Sequence, residues 1–346
     1  MSILVTGGAG FIGSHTCAEL LSQGYDVVVA DDFSNSFRPS LAAVRRLTGR
    51  ELAIHVVDLR DRGGLNEVLG SHEISAVIHF AAKKAVAESM AEPLDYFDVN
   101  VGGTISLLRA MMAHGVRKMV FSSSCSIYGD QYRRPIAEDD PPGPVNPYAR
   151  SKLICEQMLE AACGTHTDLS VISLRYFNPA GAHPSGLIGE CPRGVPSNIV
   201  PYMVHVAAGK QEKLQVFGSD YETRDGTAIR DYIHVMDVAH AHMLALEHLD
   251  DEHGMRALNL GTGTGASVLD LIRIFEETCG VHVPYAFADR RPGDVTRLIA
   301  DAGLVEKMWG WRPGRDLATI FEDSWRFQCA NPDGFRAEPR QAGVGE

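Results

Sequence analysis

A glycine-rich turn near the start of the chain limits what it can fold into more than any other feature. Gly7-Gly8-Ala9-Gly10-Phe11-Ile12-Gly13 follows the β-branched run at residues 3–6 and opens a stretch of helical apolar spacing. The glycines therefore sit at a strand-to-helix junction. There Gly7 permits the tight turn, Gly10 lets the main chain approach a pyrophosphate, and Gly13 allows close helix–strand packing. Asp31 ends the second strand, eighteen residues beyond Gly13, where a carboxylate accepts ribose hydroxyls and repels a 2′-phosphate. Asp32 follows it with no arginine immediately beside it, so turn and carboxylates together predict NAD as cofactor. Asp58, closing the third strand, suits either the adenine amino group or a turn cap.

The apolar pattern continues in the same sense. It predicts strands at residues 3–6, 26–30, 52–57, 76–80, 118–122 and 170–175, with helices at 11–22, 40–47, 94–114 and 148–163. This alternation implies βαβ units on a parallel sheet, an α/β fold of the Rossmann-type, doubly wound kind. After Tyr176 the rhythm breaks into Pro-, Gly- and His-rich loops. We therefore expect an NAD-binding domain over 1–176, a smaller α/β substrate-binding domain mainly within 177–336 with some segments returning to the first, and a flexible tail at 337–346.

Composition excludes several functions. The chain has 346 residues, 45% hydrophobic and 22% charged, with a formal net charge of −12, an ordinary globular profile without a footprint for nucleic acid or an anionic membrane. Seven unpaired-looking cysteines, none in Cys-x-x-Cys spacing, fit reduced thiols in a cytoplasm. The N-terminal apolar run is too short for a signal peptide, and no run approaches a membrane span. No His/Cys/Asp spacing suggests a metal; His79 and His234 lie in apolar strand contexts and are expected in the core.

Asn146-Pro147-Tyr148-Ala149-Arg150-Ser151-Lys152 places a phenol and an ammonium four positions apart on a helix that begins at Pro147. A charge about 5 Å from a tyrosine contributes roughly 3 kcal/mol at an effective dielectric near 20, about two pKa units. Lys152 is thus expected to bring Tyr148 toward neutral pH. By itself this spacing more often marks a solvated helix face.

The segments Phe121-Ser122-Ser123-Ser124-Cys125-Ser126-Ile127-Tyr128-Gly129-Asp130, Arg175-Tyr176-Phe177-Asn178-Pro179-Ala180-Gly181-Ala182-His183-Pro184 and Arg230-Asp231-Tyr232-Ile233-His234-Val235-Met236-Asp237 add detail. So do His79-Phe80-Ala81-Ala82-Lys83-Lys84-Ala85-Val86 and Arg290-Arg291-Pro292-Gly293-Asp294. With the glycine turn and the Tyr148–Lys152 pair, the chain to about Phe335 resembles the extended short-chain dehydrogenase/reductase family, and within it the nucleotide-sugar 4-epimerases. The resemblance implies an NAD-dependent isomerase that interconverts UDP-galactose and UDP-glucose through a transient 4-keto sugar, a step of galactose metabolism.

It also implies roles. Tyr148 is the general base at the sugar 4′-hydroxyl, Lys152 lowers its pKa and holds the nicotinamide ribose, and Ser124 hydrogen-bonds the 4′-oxygen. Gly7, Gly10, Phe11, Ile12, Gly13, Asp31, Asp32, Ser34, Asn35, Ser36, Asp58, Leu59, Phe80, Ala81, Lys84, Ser122 and Phe177 line the NAD site, Lys84 being equally readable as a solvated lysine. Asn178, Asn198, Phe217, Arg230, Arg291 and Asp294 belong to the nucleotide-sugar site, with the arginines suited to a diphosphate and Asp294 to the uridine ribose. Leu298 stands where family members limited to glucose and galactose carry tyrosine and those accepting N-acetylated sugars carry something smaller, so some turnover of UDP-N-acetylglucosamine is expected. Relatives dimerise through the helix before Ser124 and the Tyr148 helix; Leu107, Leu108, Met111 and Met112 suit either that homodimer or the chain's own core.

Three other functions are weighed. A nucleotide-sugar 4,6-dehydratase needs a further acid and base, and Ser124-Cys125-Ser126 offers no carboxylate where such relatives carry Thr-Asp-Glu. A 4-epimerase of UDP-glucuronate or a UDP-pentose stays open. A non-catalytic NAD-binding regulator would have lost the tyrosine or the lysine, and both are retained.

Overall fold

A computed structural model describes residues 2–130, 134–291 and 293–335. The expected tail at 337–346 and Pro292 of the Arg290–Asp294 motif lie outside the described residues. The first strand, β1 (Ser2–Thr6), leads through the glycine turn into α1 (Phe11–Ser22), then β2 (Asp26–Asp31), α2 (Arg38–Thr48), β3 (Ala53–Val56), α3 (Arg62–Ser71) and β4 (Ile74–His79). Next come α4 (Val86–Ala91), α5 (Pro93–Tyr96), a π turn (Phe97–Gly102), α6 (Gly103–Ala113), β5 (Lys118–Ser122), a 3₁₀ turn (Cys125–Tyr128), α7 (Pro147–Thr165) and β6 (Ser170–Tyr176).

The second part carries β7 (Asn178–Ala180), α8 (Ile199–Ala207), β8 (Leu214–Phe217), β9 (Ile229–His234), α9 (Val235–Glu247), β10 (Gly254–Leu260), β11 (Gly265–Ser267), α10 (Val268–Cys279), β12 (Tyr285–Ala288), β13 (Arg297–Leu298), α11 (Gly303–Trp309) and α12 (Leu317–Ala330).

Seven parallel strands form the main sheet in the order β10-β6-β5-β4-β1-β2-β3. The chain runs outward from β1 through β2 to β3, then returns past β1 to β4 and runs the other way. The reversal lies between β1 and β4, where open α/β sheets hold their ligands. Both faces are covered, so the strands read as continuous apolar runs: Leu4, Val28 and Val77 pack to one side, Ile3, Val27 and Ile78 to the other. β10 joins β6, and α9 packs with α1 in the same core through Val238, Ala241 and Ala245. Residues 235–260 therefore belong to the first unit. The second unit has a core of its own around Met203, Leu271, Phe275, Ile320 and Phe321, beside a small sheet in which β9 pairs with β11, β13 and β7.

Two elements depart from the sequence pattern. α3 was not predicted, since Gly63, Gly64 and Gly70 hide its period; Asp61 starts it by accepting from the Gly63 and Gly64 N–H groups. The single helix expected at 94–114 is three pieces. Its middle widens into the π turn at Asn100, whose buried side chain binds the Lys83 N–H and carbonyl and the Ser151 hydroxyl.

Candidate active site

The glycine turn is built as close as backbone allows. Gly7 has φ of 70°, and a Cβ there would lie 2.7 Å from the Ala81 nitrogen; a Cβ on Gly13 would lie 2.2 Å from the Gly7 carbonyl oxygen. Only glycine fits either place. Gly10 caps α1 with no side chain, leaving first-turn N–H groups for an anion. Asp31 ties this turn to the next loop: it accepts from the Ala9 N–H at 2.9 Å, the Phe33 N–H at 2.9 Å and the Ser36 hydroxyl at 2.7 Å. Burial raises its pKa, and these donors pull it back.

Around that corner lie the other expected dinucleotide residues. Asp32 accepts from Ser34, and both, with Asn35, are exposed while Ser36 is buried. Phe11 and Ile12 are half-buried on the first turn of α1. Asp58 is gripped through both oxygens by Arg60, which holds its carboxyl below the usual range. Leu59 is buried close to Gly103. Phe80 and Ala81 pass beside the glycine turn, with the Phe80 ring 4.6 Å from that of His242. Lys84 pairs with Glu190 at 3.1 Å. The turn, the uncapped helix and the clustered Asp31, Ser36, Phe80 and Ala81 fit a dinucleotide running over the β1–β4 crevice.

Tyr148, Lys152 and Ser124 converge at the carboxyl end of β5. Asn146 caps α7 by accepting from Ala149 N–H, with Pro147 at the first helical position. The Ser124 side chain lies beside the Tyr148 phenol and pulls its pKa down. Ser124 also accepts from the Ser126 hydroxyl at 2.9 Å, opening the 3₁₀ turn. Lys152 is buried, donates to the Ser122 carbonyl oxygen at 2.8 Å and lies 5.1 Å from the Phe121 ring centre. The Ser122 hydroxyl pairs with the Tyr176 phenol.

The electrostatics correct one expectation. Tyr148 is not drawn toward neutrality: burial pushes it up to about 12, with Ser124 opposing. Lys152 is lowered to about 8, chiefly by burial. Two groups taken out of water each resist their charged form, and in this geometry the ammonium spends its hydrogen bond on Ser122.

The expected nucleotide-sugar residues fall into neighbouring groups. Arg291 lies over the Phe217 ring at 4.5 Å and pairs with Asp294 at 3.0 Å. Arg230 donates to the carbonyls of Ile229 and Val295, and Leu298 lies opposite it in the β9–β13 pairing. Leu298 and Phe177 pack with Cys125, next to Ser124. Asn178 donates to the Asp231 carbonyl at 3.1 Å, so β7 is fastened to β9. Asn198 precedes α8 but turns its amide to Glu190 at 2.8 Å, leaving its own helix without a side-chain cap.

The NAD dependent epimerase/dehydratase family model matches residues 3–261. The chain belongs to this family. It is 51% identical over 337 residues to the UDP-glucose 4-epimerase of Bacillus subtilis, covering 97% of this chain and 99% of that protein. It is 48% identical to the human UDP-glucose 4-epimerase, over 96% of this chain and 98% of the relative. Among solved structures, the Bifidobacterium longum UDP-glucose 4-epimerase in complex with NAD+ and UDP superposes with a TM-score of 0.94 at 44% identity, covering 96% of this chain and all of the other (100%). The Stenotrophomonas maltophila enzyme, with bound NAD and formylated UDP-arabinopyranose, gives 0.93 at 49% identity, covering 96% and 99%.

In this epimerase/dehydratase chain, three residues without a role in the sequence pattern brace the expected site residues or the backbone beside them. Asn100 sits in the π turn; the Asn-Val-Gly-Gly run inside a helical pattern was its only signal. Glu190 joins Lys84 to Asn198 from an irregular segment without any pattern. Tyr176 reaches Ser122 from the end of β6. His79 and His234 are buried, His79 between Thr6 and Thr104 and His234 against Asp323. Among the described residues no three His, Cys, Asp or Glu side chains are grouped to hold a metal ion, and no helix is long and apolar enough to cross a membrane.

Proposed function

We propose that the chain is an NAD-dependent UDP-glucose 4-epimerase, interconverting UDP-galactose and UDP-glucose in galactose metabolism through a transient 4-keto sugar. One observation carries this reading: the buried Lys152, fastened to the Ser122 carbonyl, beside Tyr148 and Ser124 on a turn with no carboxylate for eliminating water.

The glycine turn, the uncapped first turn of α1 and Asp31 would hold NAD, whose nicotinamide would supply reversible hydride chemistry at the sugar C4. The cofactor's positive charge also opposes the burial that holds Tyr148 up. Tyr148 takes the proton of the 4′-hydroxyl and gives it back. Ser124 orients that oxygen, and Lys152 keeps a positive charge beneath the pair and holds the nicotinamide ribose. Asp31 reads the adenosine ribose. Arg230, Arg291 and Asn198 hold the diphosphate, Asp294 the uridine ribose, and Phe217 the uracil side of the pocket. Leu298 leaves more room than a tyrosine would, so UDP-N-acetylglucosamine and UDP-N-acetylgalactosamine are interconverted too.

A homodimer is built through α6 and α7, where Ile154 is exposed; Leu107 and Met111 lie in the chain's own core, with Leu108 and Met112 at its edge. The enzyme works in the cytoplasm, without nucleic acid or membrane as partner. Purified protein is incubated with UDP-galactose, UDP-N-acetylgalactosamine and UDP-glucuronate without added NAD, and the products identified. Conversion of the first two is expected. A 4-keto-6-deoxy product would make the chain a dehydratase, and turnover of UDP-glucuronate alone would move it to another epimerase.

A further inference from the structure

Glu190 occupies a place built for a different anion. Its Oε1 accepts both from the Lys84 ammonium at 3.1 Å and from the Asn198 amide at 2.8 Å. The side chain is only 9% exposed, and Oε2 is buried without a hydrogen bond. Lys84 comes from the loop that passes the glycine turn; Asn198 comes from the start of α8, whose first turn has no side-chain cap. An ammonium, an amide donor and an uncapped helix N-terminus form a receptor for a polyanion, and here they face the chain's own carboxylate.

We propose that Glu190 is an internal stand-in for the diphosphate of the sugar nucleotide, occupying the Asn198 amide with Lys84 as its counter-ion until that diphosphate displaces it from Asn198. This rests on the UDP-sugar reading above. Two features make the contact displaceable. A buried carboxylate oxygen without a donor weakens the arrangement that Oε1 supports. Beside it lies a cavity of about 20 Å³, enough for about one water, whose wall is apolar at Val200, Val204 and Phe327 and offers the released carboxylate His205, Ser324 and Gln328 as polar neighbours. Asn198 is then free to face the ligand from the end of α8. Glu190 is thus a positioning residue that sets a threshold for binding.

The test uses the NAD-loaded enzyme and UDP as probe. Glu190→Gln removes the charge and keeps the shape, so UDP measured by calorimetry should bind about three- to tenfold more tightly, with a matching fall in KM for UDP-galactose. Glu190→Ala should tighten UDP in the same direction, and thermal unfolding of both variants reports that they are folded. In an Asn198→Ala background the gain from Glu190→Gln should shrink, because one of the competing donors has gone. Unchanged or weaker UDP binding by both variants overturns the inference and leaves the epimerase reading standing. A wild-type enzyme that binds no UDP overturns that reading itself.

Discussion

The Lys152 ammonium lies 2.8 Å from the main-chain oxygen of Ser122, two residues before the Ser124 that lies beside the Tyr148 phenol. α7 thus clamps the end of β5 through its lysine while presenting its tyrosine to the turn that follows. The phenol and the serine are set by one helix and one strand end, a rigid support of the kind the proposed proton transfer needs.

The burial of Lys152 should be visible in stability. Its pKa falls from 10.5 to about 8 on folding, so between those values the unfolded chain holds a proton that the folded chain has released. Stability then rises with pH across that window. The shift corresponds to about 3 kcal/mol, gained from pH 8 to 10.5 and missing below pH 8, where the buried ammonium is penalised. Lys152→Met should lack this rise. Urea midpoints of the dinucleotide-free protein at pH 7.5 and pH 10 test it, and parallel curves for wild type and variant would reject it.

Tyr148→Phe removes the proposed proton acceptor and keeps the ring and its packing. We expect kcat to fall on the order of 10²- to 10⁴-fold with KM for UDP-galactose changed little. Ser124→Ala also removes the acceptor for the Ser126 hydroxyl, so kcat should fall about tenfold or more with a modest loss of stability. A Tyr148→Phe enzyme retaining more than a tenth of wild-type kcat would remove the tyrosine from the chemistry.

Gly13→Ala tests the dinucleotide cradle. The added methyl would lie 2.2 Å from the Gly7 carbonyl oxygen, so α1 must move away from the turn proposed to hold the pyrophosphate. Protein purified with bound dinucleotide, followed by absorbance after denaturation, should retain far less of it than wild type. Equal retention would place the cofactor elsewhere.

What could be read from the sequence follows from distance along the chain. The glycine turn, Asp31 and the Tyr148–Lys152 pair are local patterns, each complete within a strand, a turn or four residues of helix, and α1 and β5 fall at the predicted residues. The fate of Lys152 was hidden because its partner, Ser122, lies thirty residues away on β5, so spacing named a possible neighbour but not the one that took the hydrogen bond. Glu190 was hidden for the same reason: it meets Lys84 across 106 residues. α3 and the π turn were missed because glycines weaken the helical period just where backbone approaches or widens.

Leu298 offers a test of specificity. It is 6% exposed, packed with Cys125 and Phe177 beside the catalytic turn and held opposite Arg230 by the β9–β13 pairing. Because strand pairing fixes its main chain, a larger side chain has to grow toward the neighbouring ligand space or force its neighbours aside. Leu298→Tyr should cut kcat/KM for UDP-N-acetylgalactosamine by about 10- to 200-fold, the range one bulky group commands in a pocket, and leave that for UDP-galactose within a few-fold. Overpacking should cost about 1–3 kcal/mol of stability, so thermal unfolding is recorded alongside to separate a filled pocket from a damaged fold. Equal losses on both substrates would mean that Leu298 packs the core without touching the sugar's C2 substituent. A selective loss would assign it to the pocket wall.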